Sequence, residues 1–480
     1  MAIRFPSISP VAWLTIERVT QQGLWLILFA ILAPILGPRP YGLFSIVMVF
    51  VGFCEWILLE GAAEALVTVK DLESDHINTS NLVSIGISLA FAALMGVSAP
   101  WLGDAFHDNE MKWVIWVLLP MPLLSSLSAP PIAVLRRSME YKALAIRSVL
   151  GLTIGGVFGI ILGLLGFGVW ALVLQVLTQR LAELTVAWIA VSVRFGCRWS
   201  VRHFHDLRPV AVNVLMARMA SLVTGQFPRI VLGYVLGPTD VGLFSLANRL
   251  VDVIVHTNVI PRTEVGRIEL RSDEPGTPEF ERHFLKVLQN ASILSFPCFL
   301  GAAAIVPDLF ELWLDHRWQP GIVPTQLMLL TGLPLAIFYS LDAALLAANQ
   351  SSVFRKIAHW QAVTLAVTVV CAAPFGLTMT CLALAIRPWV VMPVFLVMFG
   401  RACRISPFAV ALPPLQSLAG AGLMAVFLRL PVFHPNWLGR APDMLLLIAI
   451  GLMFYGTYLY LFARRQLRDF IADVVGHRAR

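Results

Sequence analysis

Charged side chains are scarce in this chain: Asp, Glu, Lys and Arg together make up 13% of its 480 residues, while hydrophobic residues make up 58%. Apolar runs recur along the sequence, and ~20 such residues are what an α-helix needs to cross the hydrocarbon of a bilayer. Too little polar sequence is left to build a soluble domain. The composition therefore predicts an all-α integral membrane protein, because isolated strands cannot satisfy their backbone groups in lipid.

Cysteine is also rare, and none of the six residues forms a Cys-x-x-Cys pair. A disulfide framework or a cysteine metal site is therefore not expected.

The chain has no GxxxxGK[ST] phosphate loop and no HExxH motif, which excludes an ATP motor within it. The two histidines of His203-Phe-His205 lie in a basic segment without evident partners. We expect no cofactor and no metal. The net charge of +7 is dispersed over loops, so we expect no nucleic-acid partner.

About fourteen segments are predicted to span the membrane. If the N-terminus is cytoplasmic, the outside loops hold only four basic residues, Arg39, Lys112, Arg317 and Arg440. This positive-inside pattern predicts a multi-pass protein with both termini in the cytoplasm. Trp313 and Trp318, in the longest outside loop, are predicted to lie at the membrane interface. The predicted segments are 11–36, 42–66, 81–102, 112–135, 147–165, 168–193, 209–236, 241–262, 284–305, 325–348, 357–374, 378–399, 408–430 and 441–463.

One ten-residue motif occurs twice, as LGPRPYGLFS at 36–45 and LGPTDVGLFS at 236–245, with seven identical positions. An offset of 200 residues is too long for a solenoid repeat and indicates two copies of one domain. Each copy holds six predicted spans, so both have the same orientation, as in transporters whose halves move around a central site. We predict an N-lobe at 1–200, a C-lobe at 201–403, and two further spans with a basic cytoplasmic tail at 404–480.

Both copies of the motif fall at an outside turn between two predicted spans. Proline cannot donate a backbone hydrogen bond, and glycine tolerates the backbone geometry of a turn. The motif is therefore predicted to fix equivalent hairpins in the two lobes.

The basic residues inside the predicted spans are all arginine. Each costs at least ~2.5–3.5 kcal/mol at the bilayer centre on insertion scales, so intramembrane charges mark functional sites or ion pairs. Arginine keeps its charge when buried and binds phosphate through a planar fork. We predict that a phosphate-bearing substrate is bound by Arg18, Arg218, Arg229 and Arg249; the alternative is that these side chains pair with neighbouring acids or reach to the interface.

A second group of intramembrane residues could carry an ion or a proton. Arg249, Asp252 and His256 lie within a narrow arc of one predicted helix, and histidine titrates near neutral pH. A buried structural pair is the competing interpretation, as it is for Arg180 and Glu183 at i, i+3. The predicted coupling residues are Glu55, Asp252, His256 and Asp342.

Four stretches of this sequence resemble the polysaccharide transporter family of the MOP exporter superfamily, in particular exopolysaccharide and O-antigen flippases. They are the two copies of the motif, Leu135-Arg-Arg-Ser-Met-Glu-Tyr-Lys-Ala-Leu-Ala145, and Gly166-Phe-Gly-Val-Trp-Ala-Leu-Val173. The resemblance covers roughly residues 1–400. It implies a MATE-like fold, with two parallel-repeat six-helix lobes around a V-shaped cavity and two added C-terminal helices.

The same resemblance implies a function and a set of partners. The expected activity is movement of a polyprenyl-diphosphate-linked oligosaccharide, of the undecaprenyl type, across the bacterial inner membrane for exopolysaccharide, capsule or O-antigen synthesis. The lobes would alternate access to an Arg-lined cavity, in contact with membrane lipids. A polymerase and chain-length proteins of the same pathway are candidate partners, and the protein itself is not expected to be an enzyme.

Two other functions remain open at the level of the sequence. A cation-coupled drug exporter of the same superfamily would favour an acidic and aromatic cavity over one rich in arginine. A membrane glycosyl polymerase or ligase usually needs a sizeable outside loop with catalytic residues, and the outside loops of this chain are short.

Overall fold

The computed structural model describes residues 10–56, 66, 73–191, 196, 198–429, 440–464, 466 and 468. Within these ranges the side chains of 10–12, 15, 54, 56, 210, 213–224 and 440–441 are not described. The described part is helical and contains no strand. Its α-helices are α1 (Pro10–Leu36), α2 (Pro38–Trp56), α3 (Ser74–Ala105), α4 (Asn109–Leu118), α5 (Pro120–Arg137), α6 (Tyr141–Leu164), α7 (Val169–Ala190), α8 (Val201–Leu236), α9 (Pro238–Ile254), α10 (Ile260–Leu270), α11 (Pro278–Trp313), α12 (Ile322–Ala347), α13 (Ser351–Ala372), α14 (Leu377–Cys403), α15 (Pro407–Leu428) and α16 (Arg440–Phe462).

Every predicted span overlaps one of these helices or a consecutive pair of them, and parts of the predicted spans 42–66, 168–193 and 408–430 lie outside the described residues. In the described residues, twelve helical segments are long and apolar enough to cross a membrane. The predicted count of fourteen is not confirmed. The described apolar stretch of α2 is Pro38–Phe53, and α8 is not among the twelve because the side chains of 210 and 213–224 lie outside the described residues.

The helices form two compact units, Met1–Gly242 and Leu243–Arg480. In the first unit, α6 packs along α7 and against α1. The close approach of α6 to α7 depends on Gly151, Gly155 and Gly159, where an added Cβ would collide with side chains of α7. In the second unit, α11 packs against α12 and α15. The predicted lobe limits at 200 and 403 stay a prediction.

The two C-terminal helices α15 and α16 pack on α11 within the second unit. The hydroxyl of Tyr455 on α16 donates a hydrogen bond of 2.9 Å to the buried carbonyl oxygen of Ile293 on α11. These helices therefore belong to the packed body of that unit.

Each copy of the repeated motif joins two helices through a single residue. Gly37 separates α1 from α2 and Gly237 separates α8 from α9. Their φ angles are +80° and +91°, a region that side chains other than glycine rarely enter. The prolines that follow stand at the first helical positions, where no backbone donor is required. The predicted hairpins are thus present at both copies.

The second glycine of each motif has a different role. A Cβ at Gly42 would overlap the carbonyl oxygen of Pro238, and a Cβ at Gly242 would overlap the carbonyl oxygen of Pro38. The first turns of α2 and α9 therefore cross with backbone against backbone. At each glycine, the carbonyl group of the first residue of the other helix occupies the space that a side chain would need. The motif encodes this reciprocal contact as well as the turn.

Two local predictions need correction. The basic segment before the predicted span 209–236 is helical from Val201, where α8 begins. The connection between the predicted spans 241–262 and 284–305 is much shorter than their limits imply, because α10 continues to Leu270 and α11 begins at Pro278. Trp318 lies in a 3-10 turn, His316–Gly321, and is 0% exposed; its position at the membrane interface stays a prediction.

Candidate functional site

The four predicted substrate arginines lie on three helices. Arg18 is exposed on α1. Arg229 is half-buried on α8 and donates to Gln226, one turn earlier on the same helix. The side chain of Arg218 lies outside the described residues. Arg249, on α9, is half-buried, and the structure describes no hydrogen-bond acceptor for its buried Nη2 atom.

Arg249 lies within electrostatic range of Asp252 on the same helix. Asp252 accepts a hydrogen bond of 3.2 Å from the Asn248 side chain. The charges of Asp252 and of Asp342, on α12, both act on the hydroxyl of Tyr339. Three of the predicted residues are therefore near one another in the second unit. Asp342 has no hydrogen-bond or ion-pair partner among the described side chains.

His256 lies on a π-helical turn, Val255–Val259, between α9 and α10. Such turns insert one residue into a helix and are frequent at functional sites. Here the turn leaves His256 and Thr257 exposed in the middle of a helical segment that is apolar enough to span a membrane. Polar groups in that position face water or a ligand more often than lipid. The sequence predicted the polar arc but gave no signal for the π turn.

Glu55 belongs to a different cluster, in the first unit, and is only 4% exposed. Its Oε2 atom is 3.1 Å from Nη2 of Arg180, and its Oε1 atom accepts a hydrogen bond of 2.6 Å from Ser125. Nη1 of Arg180 is 3.1 Å from Oε2 of Glu183. The predicted i, i+3 pair on α7 is therefore present, and it extends to α2.

This cluster continues onto α6 and α1. Nη1 of Arg147 is 3.4 Å from Oε2 of Glu183, and its Nη2 atom donates to Ser148 at 3.3 Å. The Ser148 hydroxyl donates in turn to Oε1 of Glu17 at 2.7 Å. Gln179 donates to Oε1 of Glu183 at 2.8 Å. We call Glu17, Glu55, Ser125, Arg147, Ser148, Gln179, Arg180 and Glu183 the first-unit network.

Glu17 and Arg147 belong to two different predicted spans, 11–36 and 147–165. The two residues meet because α6 lies against α1, a contact between residues more than 100 positions apart in the sequence. No local sequence pattern indicates that these two helices pack together. The glycine stripe of α6 was the available signal, since it marks the face on which another helix packs closely.

A second polar contact joins α3 to the beginning of α8. The rings of His76 and His203 lie edge to face with centroids 4.1 Å apart. Nε2 of His76 is 3.7 Å from Asp206, and Nε2 of His203 is 3.4 Å from Glu73. His203 therefore has partners that its sequence neighbourhood did not reveal. In the described part of the chain, no group of three or more His, Cys, Asp or Glu side chains has a metal-binding arrangement.

These groups can bind charged ligands. Arg249 offers a cation, while Asp252, Asp342 and the first-unit network offer carboxylates.

Comparison with known proteins gives a consistent family. Residues 31–323 match the model of a family described as polysaccharide biosynthesis protein. The succinoglycan biosynthesis transport protein ExoT of Rhizobium meliloti strain 1021 is 27% identical over 248 residues, which are 51% of this chain. The matched part spans about half the length of that relative, 49%.

Two further similarities extend over more of the chain. The lipopolysaccharide biosynthesis protein WzxC of Escherichia coli K12 is 20% identical over 72% of this chain and 71% of its own length. The structure of the lipid II flippase MurJ in an inward closed conformation superposes with a TM-score of 0.76. It covers 94% of this chain and 99% of MurJ at 14% identity. At that identity the likeness establishes the fold.

Proposed function

Because this chain belongs to the polysaccharide biosynthesis protein family, we propose that it moves a lipid-linked oligosaccharide across the bacterial inner membrane. The carrier is a polyprenyl diphosphate of the undecaprenyl type, and the sugar supplies exopolysaccharide, capsule or O-antigen synthesis. The relatives ExoT and WzxC support a transport role in this chemistry. They also favour a transporter over a polymerase or ligase.

The observation that carries this proposal is the environment of Arg249. Its guanidinium lies in a helical segment able to span a membrane and has a buried nitrogen without a described acceptor. Phosphate oxygens are suitable acceptors for that nitrogen, since arginine binds phosphate through two parallel N–H groups. We place Arg249 at the diphosphate, with Arg18, Arg218 and Arg229 as further cationic contacts along its path.

Movement of the headgroup requires a source of energy, and the chain has no phosphate-loop motif. We assign ion or proton coupling to Asp252, His256 and Asp342 in the second unit and to Glu55 in the first. Both termini are cytoplasmic in this proposal. The two repeats alternate access to the substrate by moving relative to each other, and a polymerase and chain-length proteins receive the product.

The role of Arg249 can be tested by complementation of a flippase-deficient strain. Arg249→Ala should reduce polymer export by about tenfold or more, because alanine has no donor for a phosphate oxygen. Arg249→Lys should restore only part of the export, because lysine keeps the charge but lacks the paired donors of the guanidinium. Arg218→Ala and Arg229→Ala should lower export in the same way. Membrane protein levels should stay normal in every variant.

Arg267→Ala is the matched control, because Arg267 is a half-buried residue of α10 whose side chain is 41% exposed and pairs with Glu264. Its export should equal that of the wild type. Full export by Arg249→Ala would show that Arg249 does not bind the substrate. Drug resistance without any polymer export would instead identify the chain as a cation-coupled drug exporter.

A further inference from the structure

Arg387 on α14 is a charged residue close to the middle of its predicted span, 378–399. At 1.5 Å of rise per residue, it lies roughly 14 Å from one end of that span and roughly 18 Å from the other. The hydrocarbon of a bilayer is about 30 Å thick, so Arg387 is far from both polar surfaces. An arginine at this depth is costly unless its charge has a partner.

The guanidinium of Arg387 is fixed between α13 and α14. Its Nη1 atom donates hydrogen bonds to the carbonyl oxygen of Gln361 at 3.0 Å and to the hydroxyl of Thr364 at 3.2 Å. Both acceptors lie on α13, so the side chain is directed across the hairpin and stays at membrane depth. The buried Nε atom has no acceptor. The two neutral acceptors therefore leave both the charge and one donor of Arg387 without a partner.

No carboxylate offsets this charge within the described part of the chain. The helices α12, α13 and α15 pack against α14, and the only acidic residue on these four helices is Asp342. No charged group among the described residues, Asp342 included, acts on the guanidinium of Arg387. Arg387 thus differs from Arg147 and Arg180, which both have a carboxylate partner.

The surface around Arg387 is apolar and uncovered. α13 packs mainly on α14, and Ile357, Val369 and Ala372 are the buried residues of its 22. The Nη2 atom of Arg387 has no described hydrogen bond and is not among the buried atoms without a partner, so it reaches this surface. We call the exposed side chains around it the hairpin face; they are Trp360, Val363, Val367, Ile386 and Val390.

The depth and the charge of Arg387 together indicate what would cover the hairpin face. A guanidinium makes its strongest hydrogen bonds to an anionic oxygen. Lipid phosphates lie at the polar surfaces of the bilayer, so an acid at this depth has to be carried by a membrane-spanning helix. A second copy of this chain does not offer one, because the described carboxylates in its predicted spans are all buried or half-buried. They are Glu17, Glu55, Glu183, Asp252, Asp342 and Asp443.

We propose that the hairpin face docks a transmembrane helix of another membrane protein, and that an Asp or Glu near the middle of this helix pairs with Arg387. The exposed apolar side chains pack against the partner helix, and the ion pair fixes its depth and rotation. A polar contact of this kind specifies a partner, because apolar packing alone does not distinguish one helix from lipid or from another helix. The docking does not depend on what the chain transports.

The test measures binding of a synthetic transmembrane peptide of leucine and alanine with one central Glu. The matched peptide has Gln at that position. Purified full-length protein is reconstituted in phosphatidylcholine vesicles at mildly alkaline pH, and energy transfer from its tryptophans to a dye on the peptide is titrated. Trp360 and Trp389 are exposed on this hairpin and serve as nearby donors. The Glu peptide should bind at least about threefold more tightly than the Gln peptide, as expected for a polar contact between helices.

Arg387→Gln should abolish this preference, and Arg387→Lys should retain part of it because the charge remains. Arg429→Gln is the matched control, because Arg429 is exposed at the end of α15. It should keep the full preference. Val390→Trp adds bulk to the exposed hairpin face without removing a described contact. It should fold as the wild type does and weaken the binding of the Glu peptide.

A wild type that binds the two peptides equally, or an Arg387→Gln protein that keeps the preference, would overturn the docking site. Unchanged binding of the Glu peptide to a folded Val390→Trp protein would do the same. A preference that disappears when phosphatidylglycerol replaces part of the phosphatidylcholine would identify a lipid phosphate as the occupant instead. A preference that Arg387→Gln removes and Arg429→Gln retains supports the proposed partner.

Discussion

At the scale of the residue, the intramembrane charges differ in whether they have carboxylate partners. Arg180 bridges Glu55 and Glu183 and holds α2 against α7. Arg249 has a buried nitrogen with no described acceptor. The sequence identified both as intramembrane arginines but could not separate them, because the partner of Arg180 on α2 is 125 positions away. Arg180 already has two carboxylate partners, which favours a structural role, whereas the buried Nη2 atom of Arg249 is available to an anion.

Loss of Arg180 should therefore destabilise the first unit. Arg180→Met leaves the buried carboxylate of Glu55 without its cation and leaves Glu183 with Arg147 alone. Breaking a buried pair in this way costs about 3–5 kcal/mol. The thermal unfolding midpoint of the purified protein should fall accordingly. Arg180→Met combined with Glu55→Gln should recover part of the loss, since the unpaired charge is removed.

Arg267→Met provides the comparison for a surface pair. Its 2.7 Å contact with Glu264 joins side chains that are 41% and 54% exposed, and solvent-exposed pairs contribute about 0–1 kcal/mol. If Arg180→Met were no more destabilising than Arg267→Met, the bridge from α2 to α7 would not stabilise the unit.

At the scale of the element, the two copies of the repeated motif act on one contact. The sequence predicted the hairpins from proline and glycine, and the turns at Gly37 and Gly237 confirm them. It did not predict that Gly42 and Gly242 receive the carbonyls of Pro238 and Pro38. A repeat indicates equivalent local structure; whether the equivalent segments touch depends on how the chain folds around them.

A side chain at this crossing should separate α2 from α9. Gly42→Ala and Gly242→Ala each place a methyl group on a backbone carbonyl, which cannot move aside as a side-chain end can. We expect a loss of at least about 1–3 kcal/mol for each variant, as for other overpacked sites. The thermal unfolding midpoint of the purified protein measures it.

Gly52→Ala is the matched control on the same helix, because nothing lies within 4 Å of a Cβ added there. Alanine is a better helix former than glycine by roughly 0.5–1 kcal/mol. Gly52→Ala should therefore be neutral or stabilising. Equal behaviour of Gly42→Ala and Gly52→Ala would mean that α2 and α9 do not cross closely.

The whole molecule consists of two compact units, which hold different polar groups. The first holds the network of three carboxylates and two arginines. The second holds Asp252, Asp342 and Tyr339 near the π turn. The helices α1 and α8, which precede the two copies of the motif, both lie in the first unit and carry arginines 200 positions apart, Arg18 and Arg218.

The predicted topology can be checked with cysteine accessibility in whole cells. In a chain whose native cysteines are replaced by alanine, Gln319→Cys should react with a membrane-impermeant maleimide. Ser272→Cys should react only after the membrane is permeabilised. Both positions are exposed in the structure, and the positive-inside rule places them on opposite sides. The reverse pattern would invert the assignment of both termini.

The sequence by itself determined the class of the molecule, its helices and its repeat. Long apolar runs require helices in lipid, and glycine and proline marked the turns because their backbone limits are local properties. Only the tertiary structure decided which charges are paired, that Trp318 is buried, and that the two motifs meet at Gly42 and Gly242. These features depend on contacts between residues far apart in the chain, and such contacts follow from how helices pack.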